Sequence, residues 1–138
     1  MMQRLLLVDD EPVSLRFLSK ALAGVGETAE ARDGAEAVTL FRQALDQGRP
    51  FAAVVMDIMM PGVDGIEAVR RIRALEAAAG AEPCRVLMLS CLDDAEHQMD
   101  SQYGAGADGY LTKPVDLATL RRAMANLDLP ANLLDAEE

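Results

Sequence analysis

The sequence predicts an α/β fold, a parallel sheet with helices on both faces. Three observations predict it. Short apolar runs alternate with segments of helical periodicity, giving a strand followed by a helix repeated five times. The run Phe51–Met56 is apolar throughout, as a strand buried on both faces must be. The connections between elements are short, which suits neighbouring strands joined by crossing helices.

Arg4–Val8 (RLLLV) stops abruptly at acids and reads as a buried strand. Pro12 then opens a helix, at a position where a missing N–H is no loss. Leu15, Leu18 and Leu22 share one face of that helix, and Gly24 and Gly26 end it. Thr28–Ala31 is a weak strand. Asp33 and Glu36 form an acid-capped variant of the capping box, with Val38, Phe41 and Leu45 on the apolar face behind it. The strand Phe51–Met56 ends at Asp57. After the loop IMMPGV, Asp64 and Glu67 repeat the D-x-x-E helix start, followed by Ile66, Val69 and Ile72. Gly80 and Pro83 mark the end of this helix.

Arg85–Leu89 is a further strand, ending at Ser90. Asp93 and Glu96 open a weak fourth helix that Gly104 and Gly106 follow closely. Gly109–Thr112 is the last short strand. Lys113-Pro114 breaks the chain, Asp116 caps, and Leu117, Leu120, Met124 and Leu127 complete a final helix. The expected organisation is one domain over residues 1–127 and a loosely held acidic tail over residues 128–138.

Composition narrows the function. Of the 138 residues, 51% are hydrophobic, enough for a core, but only 4% are aromatic, so aliphatic side chains must build it. The eight methionines, among them Met56, Met59, Met60, Met88 and Met99, are expected to fill gaps in it. No stretch approaches the roughly 20 apolar residues that span a bilayer, and the N-terminus resembles neither signal peptide nor anchor. A cytoplasmic protein with no membrane contact is expected. The net charge of −10 argues against direct nucleic-acid binding, because phosphate backbones select basic surfaces. Cys84 and Cys91 fall in one apparent strand, Cys84–Leu92, roughly 23 Å apart at about 3.3 Å per residue, too far for a bridge.

The polar residues that carry chemistry lie at strand ends. Asp9 and Asp10 follow the first strand, Asp57 the third, Ser90 the fourth and Lys113 the fifth. In an open parallel sheet, ligands bind at the carboxyl ends of the strands, so these residues converge at one edge. Converging carboxylates repel, and a hard dication such as Mg²⁺ relieves that repulsion through oxygen ligands. A carboxylate nucleophile, a metal site, a lysine and a hydroxyl make a phosphoryl-transfer site, where positioning and charge neutralisation do most of the catalysis. Asp57 is the natural nucleophile, since it ends the most apolar strand and faces the acidic pair.

In this order and spacing, LLLVDDEP, VVMDIMMPGVDG, VLMLS and DGYLTKP resemble the four sequence blocks of the response-regulator receiver family of two-component signalling. The resemblance covers about Gln3 to Leu127. It implies a flavodoxin-like, doubly wound (βα)5 fold with five strands in the order 2-1-3-4-5. It makes Asp57 the phosphoacceptor and gives Mg²⁺ (or Mn²⁺) to Asp10, Asp57 and the Met59 backbone carbonyl, with Asp9 acting through water. It places Ser90, Lys113 and the Cys91 backbone N–H on the phosphate. It makes Tyr110, with Ser90, the switch, and the Lys113–Pro114 peptide cis. It implies a histidine kinase or phosphotransfer protein as phosphoryl donor, and a downstream protein or a second copy bound through residues 93–127. Tyr110 lies three residues before Lys113, so the two side chains take opposite faces of one strand, and Tyr110 is expected to face the fourth and fifth helices.

Two departures from the family pattern matter. Cys91 stands where a very small residue is usual, and Met59 and Leu92 beside the site are apolar, unable to hold a hydrolytic water. An aspartyl-phosphate hydrolase resembling the haloacid-dehalogenase group is disfavoured, because its general acid/base position falls on Met59. An inert receiver-shaped interaction module would be expected to lack Asp57 or Lys113, and both are present. No DNA-binding or enzymatic segment is read after Leu127, leaving a stand-alone shuttle or a receiver excised from a longer protein. His97, the single histidine, is expected on the surface, as are Arg70, Arg71, Arg73, Arg121 and Arg122.

Overall fold

The computed structural model describes residues 3–91 and 106–127. Among the described residues nine elements follow one another: β1 (Arg4–Val8), α1 (Pro12–Leu22), β2 (Glu27–Ala31), α2 (Gly34–Asp46), β3 (Phe51–Asp57), α3 (Gly65–Ala79), β4 (Arg85–Ser90), β5 (Gly109–Thr112) and a final helix, here α4 (Leu117–Ala125). The strands form one sheet in the order β2-β1-β3-β4-β5, every pair parallel. The expected fourth helix after Asp93, with Leu92, His97 and Met99, lies outside the described residues, as does the tail from 128 to 138. No described helix is long and apolar enough to cross a membrane.

Strand alternation sorts the core into two layers. Leu6, Val8, Val54, Met56, Val86 and Met88 face one side and pack with Val38 and Phe41 of α2 and Ile66, Val69 and Ile72 of α3. Leu5, Leu7, Ala53, Val55, Leu87 and Leu89 face the other and pack with Leu15, Leu18 and Leu22 of α1 and Leu120 and Met124 of α4. Each fully buried aliphatic side chain contributes about 1.5–3 kcal/mol, so both layers contribute to holding the sheet between its helices.

Three helices start on the acid that the pattern marks. Asp33, Asp64 and Asp116 each accept, through the side chain, the backbone N–H three residues on, at 2.7, 2.8 and 2.7 Å. The box at α2 closes differently from the standard form. Glu36 Oε1 accepts from the N–H of Arg32, one residue before the cap, at 2.8 Å. At the end of α3, Gly80 takes the left-handed conformation with φ of 62°, and its N–H returns to Ala77 and Glu76.

Several expectations shift. β4 is Arg85–Ser90, so Cys84 and Cys91 flank the strand instead of lying in it, and the two are not joined by a disulfide. Burial pushes the Cys84 thiol far above its usual range, which makes it inert, while Cys91 is exposed. Met56, Met60 and Met88 are buried in the core, but Met59 is exposed. Leu117 is exposed as well, because the buried stripe of α4 is set by Leu120 and Met124, and Leu117 lies on the first turn outside it. Arg70 and Arg71 are solvated partners of Glu67. Arg73 is not a surface cation: it donates to buried Glu76 and to the Cys84 carbonyl, both at 2.8 Å, and to Asp108 at 3.1 Å. Its long stem lets the guanidinium reach groups that the helix face alone does not reveal.

Candidate phosphoryl-transfer site

The sheet register brings the polar residues to one edge. Val8 pairs with Met56, Asp57 with Leu89, and Ser90 with Thr112. Asp9, Asp57, Ser90 and Lys113 therefore all stand within a residue of the strands' carboxyl ends, although more than a hundred residues separate the first from the last.

Asp9 is fully buried and both its carboxylate oxygens are engaged. Oδ1 accepts the Glu11 N–H at 2.9 Å, and Oδ2 accepts from the Lys113 ammonium at 2.9 Å. Lys113 Nζ also lies 3.4 Å from Asp57 Oδ1. Asp10, the next residue, is exposed, yet one oxygen each from Asp9, Asp10 and Asp57 lies within 4.8 Å of the others. These hard oxygen donors, gathered around one small volume and short of positive charge, fit a divalent cation of the Mg²⁺ type.

The electrostatics follow from burial. Asp57 is 3% exposed. Its carboxyl is pushed up to about 7, first by loss of solvation and further by the charges of Asp9 and Asp10, against the pull of Lys113. Burial alone would lower Lys113. The hydrogen bond to Asp9 and the charges of Asp57 and Asp9 outweigh it, so the ammonium is held more firmly charged than usual. The site thus keeps a fixed cation beside a carboxylate that is costly to ionise without further positive charge.

Ser90 is fully buried at the end of β4, and its carbonyl accepts the Lys113 N–H at 2.6 Å, which anchors the loop after β5. The Lys113–Pro114 peptide is cis. Cys91 joins Asp9, Lys113 and Pro114 around a cavity of about 420 Å³, whose apolar wall comes from Val13, Phe17 and Val115. Met59 lies in the loop two residues after Asp57.

Tyr110 stands apart from this cluster. It is half-buried and packs against the core layer of α2 and α3, whereas Leu111 beside it packs in the layer of α1 and α4. The expectation that it faces the final helix is corrected to that extent: α4 covers the opposite side of the sheet, so its layer takes Leu111. Tyr110 still borders, with Thr119 and Arg122 of α4, a shallow groove at the sheet edge.

One positioning residue escaped the sequence reading. A Cβ at Gly65 would collide with the Asp57 carbonyl oxygen and lie 2.9 Å from Ile58 Cα. The Gly65 N–H donates to the Ile58 carbonyl at 2.8 Å, and Ile58 N–H to the Leu89 carbonyl at 2.9 Å. Absence of a side chain thus lets α3 begin directly on the backbone of Asp57. The Asp64-Gly65 step at the head of a helix was the available signal.

Comparison with known proteins agrees with this geometry. The Response regulator receiver domain family matches residues 5–125. The chain is 34% identical over 128 residues to the chemotaxis protein CheY of Halobacterium salinarum, covering 92% of this chain and 98% of that protein. It is 37% identical over 134 residues to the virulence sensor protein BvgS of Bordetella pertussis, covering 92% of this chain but only 10% of BvgS. Among solved structures, the CheX–CheY–BeF3–Mg complex from Borrelia burgdorferi matches with a TM-score of 0.75 and 26% identity, over 90% of this chain and 87% of that one. The chain belongs to the response-regulator receiver family of two-component signalling, and its fold and family make it a phosphorylation-dependent signalling switch.

Proposed function

We propose that Asp57 is the phosphoacceptor of this switch. The observation that carries the reading is the buried Asp57 carboxylate, with the Lys113 ammonium 3.4 Å away and Asp9 and Asp10 within 4.8 Å. An Asp57 oxygen attacks the phosphorus of a phosphohistidine; the new O–P bond forms as the P–N bond breaks, and the imidazole leaves with the electron pair. Lys113 and the Ser90 hydroxyl neutralise and orient the phosphoryl oxygens, with the Cys91 backbone N–H as a further donor. Asp10, Asp57 and the Met59 carbonyl would hold Mg²⁺ or Mn²⁺, with Asp9 behind a water. The bound cation supplies neutralisation of the carboxylates and of the transferred group. The Mg and BeF3 in the name of the Borrelia complex support a Mg²⁺ site here by similarity.

The phosphoryl donor is a histidine kinase or phosphotransfer protein, acting in the cytoplasm on one receiver domain over residues 1–127. The apolar cavity wall beside Lys113 supports docking of such a donor. Slow hydrolysis of its own aspartyl phosphate is the one further reaction assigned to the domain. Phosphorylation draws Ser90 toward the phosphate, changes the setting of Tyr110, and alters the face over residues 93–127 that a protein target or second copy reads.

Incubation with radiolabelled acetyl phosphate and Mg²⁺ tests the assignment. Wild type is labelled; Asp57→Asn is not, because an amide is no nucleophile here. Full labelling of Asp57→Asn would sink the reading.

A further inference from the structure

Arg16, Lys20 and Arg32 line a second groove, of about 390 Å³, between α1 and the end of β2, together with Ser19 and Glu30. It shares no lining residue with the cavity beside Lys113. Helix α1 divides the two, offering Val13 and Phe17 to one side and Arg16 and Lys20 to the other.

What sets this groove apart is that it gathers three cations in one recess. Several cations elsewhere are matched: Arg4 and Arg49 with Glu27, Arg71 with Glu67, Arg73 with Glu76 and Asp108, Lys113 with Asp9, whereas the exposed Arg42 and Arg122 stand on separate helices. Among the described residues, no ion pair neutralises Arg16, Lys20 or Arg32. Glu36, close to Arg32 in sequence, turns its carboxylate to the Arg32 backbone N–H instead. Three unpaired cations thus crowd one recess of a chain whose net charge is −10. Surface cations are ordinarily solvated singly; gathering three repels them from one another and stabilises nothing within the domain.

We propose that this groove is an interaction surface for an acidic segment of a partner protein. Charge complementarity selects the occupant. Carboxylates of the segment meet the three cations, and Glu30 accepts a main-chain N–H, a donor that a nucleic-acid backbone lacks. The overall negative charge also repels a long polyanion while tolerating a short, locally acidic stretch. The site is independent of phosphoryl chemistry at Asp57.

The test is fluorescence anisotropy with a labelled peptide of alternating Glu and Ser, beside an all-Ser peptide and a single-stranded oligonucleotide of equal charge. Wild type should bind the acidic peptide, and Arg16→Glu/Arg32→Glu should bind it roughly tenfold or more weakly. Arg16→Gln/Lys20→Gln should show an intermediate loss, which guards against a folding defect in the reversal variant. Labelling by acetyl phosphate should be the same in all three proteins. No binding by wild type, equal affinities across the proteins, or an oligonucleotide that binds as tightly as the peptide would each overturn the proposal.

Discussion

Lys113 and Asp9 form the shortest charged contact of the site, 2.9 Å from Nζ to Oδ2, against 3.4 Å from Nζ to Asp57. The ammonium therefore rests on the acid that is fully buried, not on the proposed acceptor. Removing it leaves Asp9 buried and uncompensated. Lys113→Met should destabilise the metal-free protein by about 3 kcal/mol. Adding Asp9→Leu should recover part of that loss, because no lone charge then remains. A urea-denaturation double-mutant cycle measures the coupling, and strict additivity would contradict it.

Asp57 makes stability depend on pH. Its folded value is raised from 3.8 to about 7, so the folded state binds a proton that the unfolded chain has already released. This contribution is fully present below the unfolded value and is lost as pH rises through the folded one. Without metal, Asp57→Asn should exceed wild type in stability by roughly 2 kcal/mol near pH 8, several degrees in Tm, and the gap should close toward about pH 4. Thermal unfolding with a chelator across that range reads it. A gap that does not change with pH would refute the link.

The three carboxylates should not contribute equally to metal binding. Both Asp9 oxygens are already bonded within the protein, whereas Asp10 is exposed. Asp10→Ala should weaken Mg²⁺ binding by tenfold or more, about 1.4 kcal/mol, and Asp9→Ala by less. Titration calorimetry gives the order, and equal losses would contradict it.

Gly65 should be intolerant of even one carbon. Gly65→Ala places a methyl against the Asp57 carbonyl, and is expected to destabilise by about 2 kcal/mol or more and to slow labelling. Gly80→Ala meets no neighbour and strains only a backbone with φ of 62°, so about 1 kcal/mol and normal labelling are expected. Denaturation together with labelling rates separates the two effects.

The lifetime of the phosphoryl group should answer to Met59. This side chain is 49% exposed, on the loop that follows Asp57, and has no group that orients a water. Met59→Asn should speed phosphate release several-fold, since positioning of the attacking water is much of what the site can offer that step. Time courses of phosphate release from the two proteins decide it; identical rates would assign the lifetime elsewhere.

Much of this protein was legible as a linear pattern. Apolar runs ending at Asp9, Asp57, Ser90 and Lys113 identify both the strands and the site, because a parallel sheet must place those ends on one edge. The three Asp caps are likewise local, each a side chain reaching a backbone N–H three residues on. What only the tertiary structure decided are matters of packing and pairing between distant segments. Periodicity shows that Tyr110 and Lys113 take opposite faces but not which helices cover each face, so the layer around Tyr110 emerged only from the packed sheet. A run of apolar residues does not mark where pairing stops, which is why Cys84 and Cys91 fell outside β4. Charge in the sequence carries no partner: whether an arginine is half-buried and paired like Arg73, or left unpaired in a groove like Arg16 and Arg32, depends on which carboxylates the fold brings within reach.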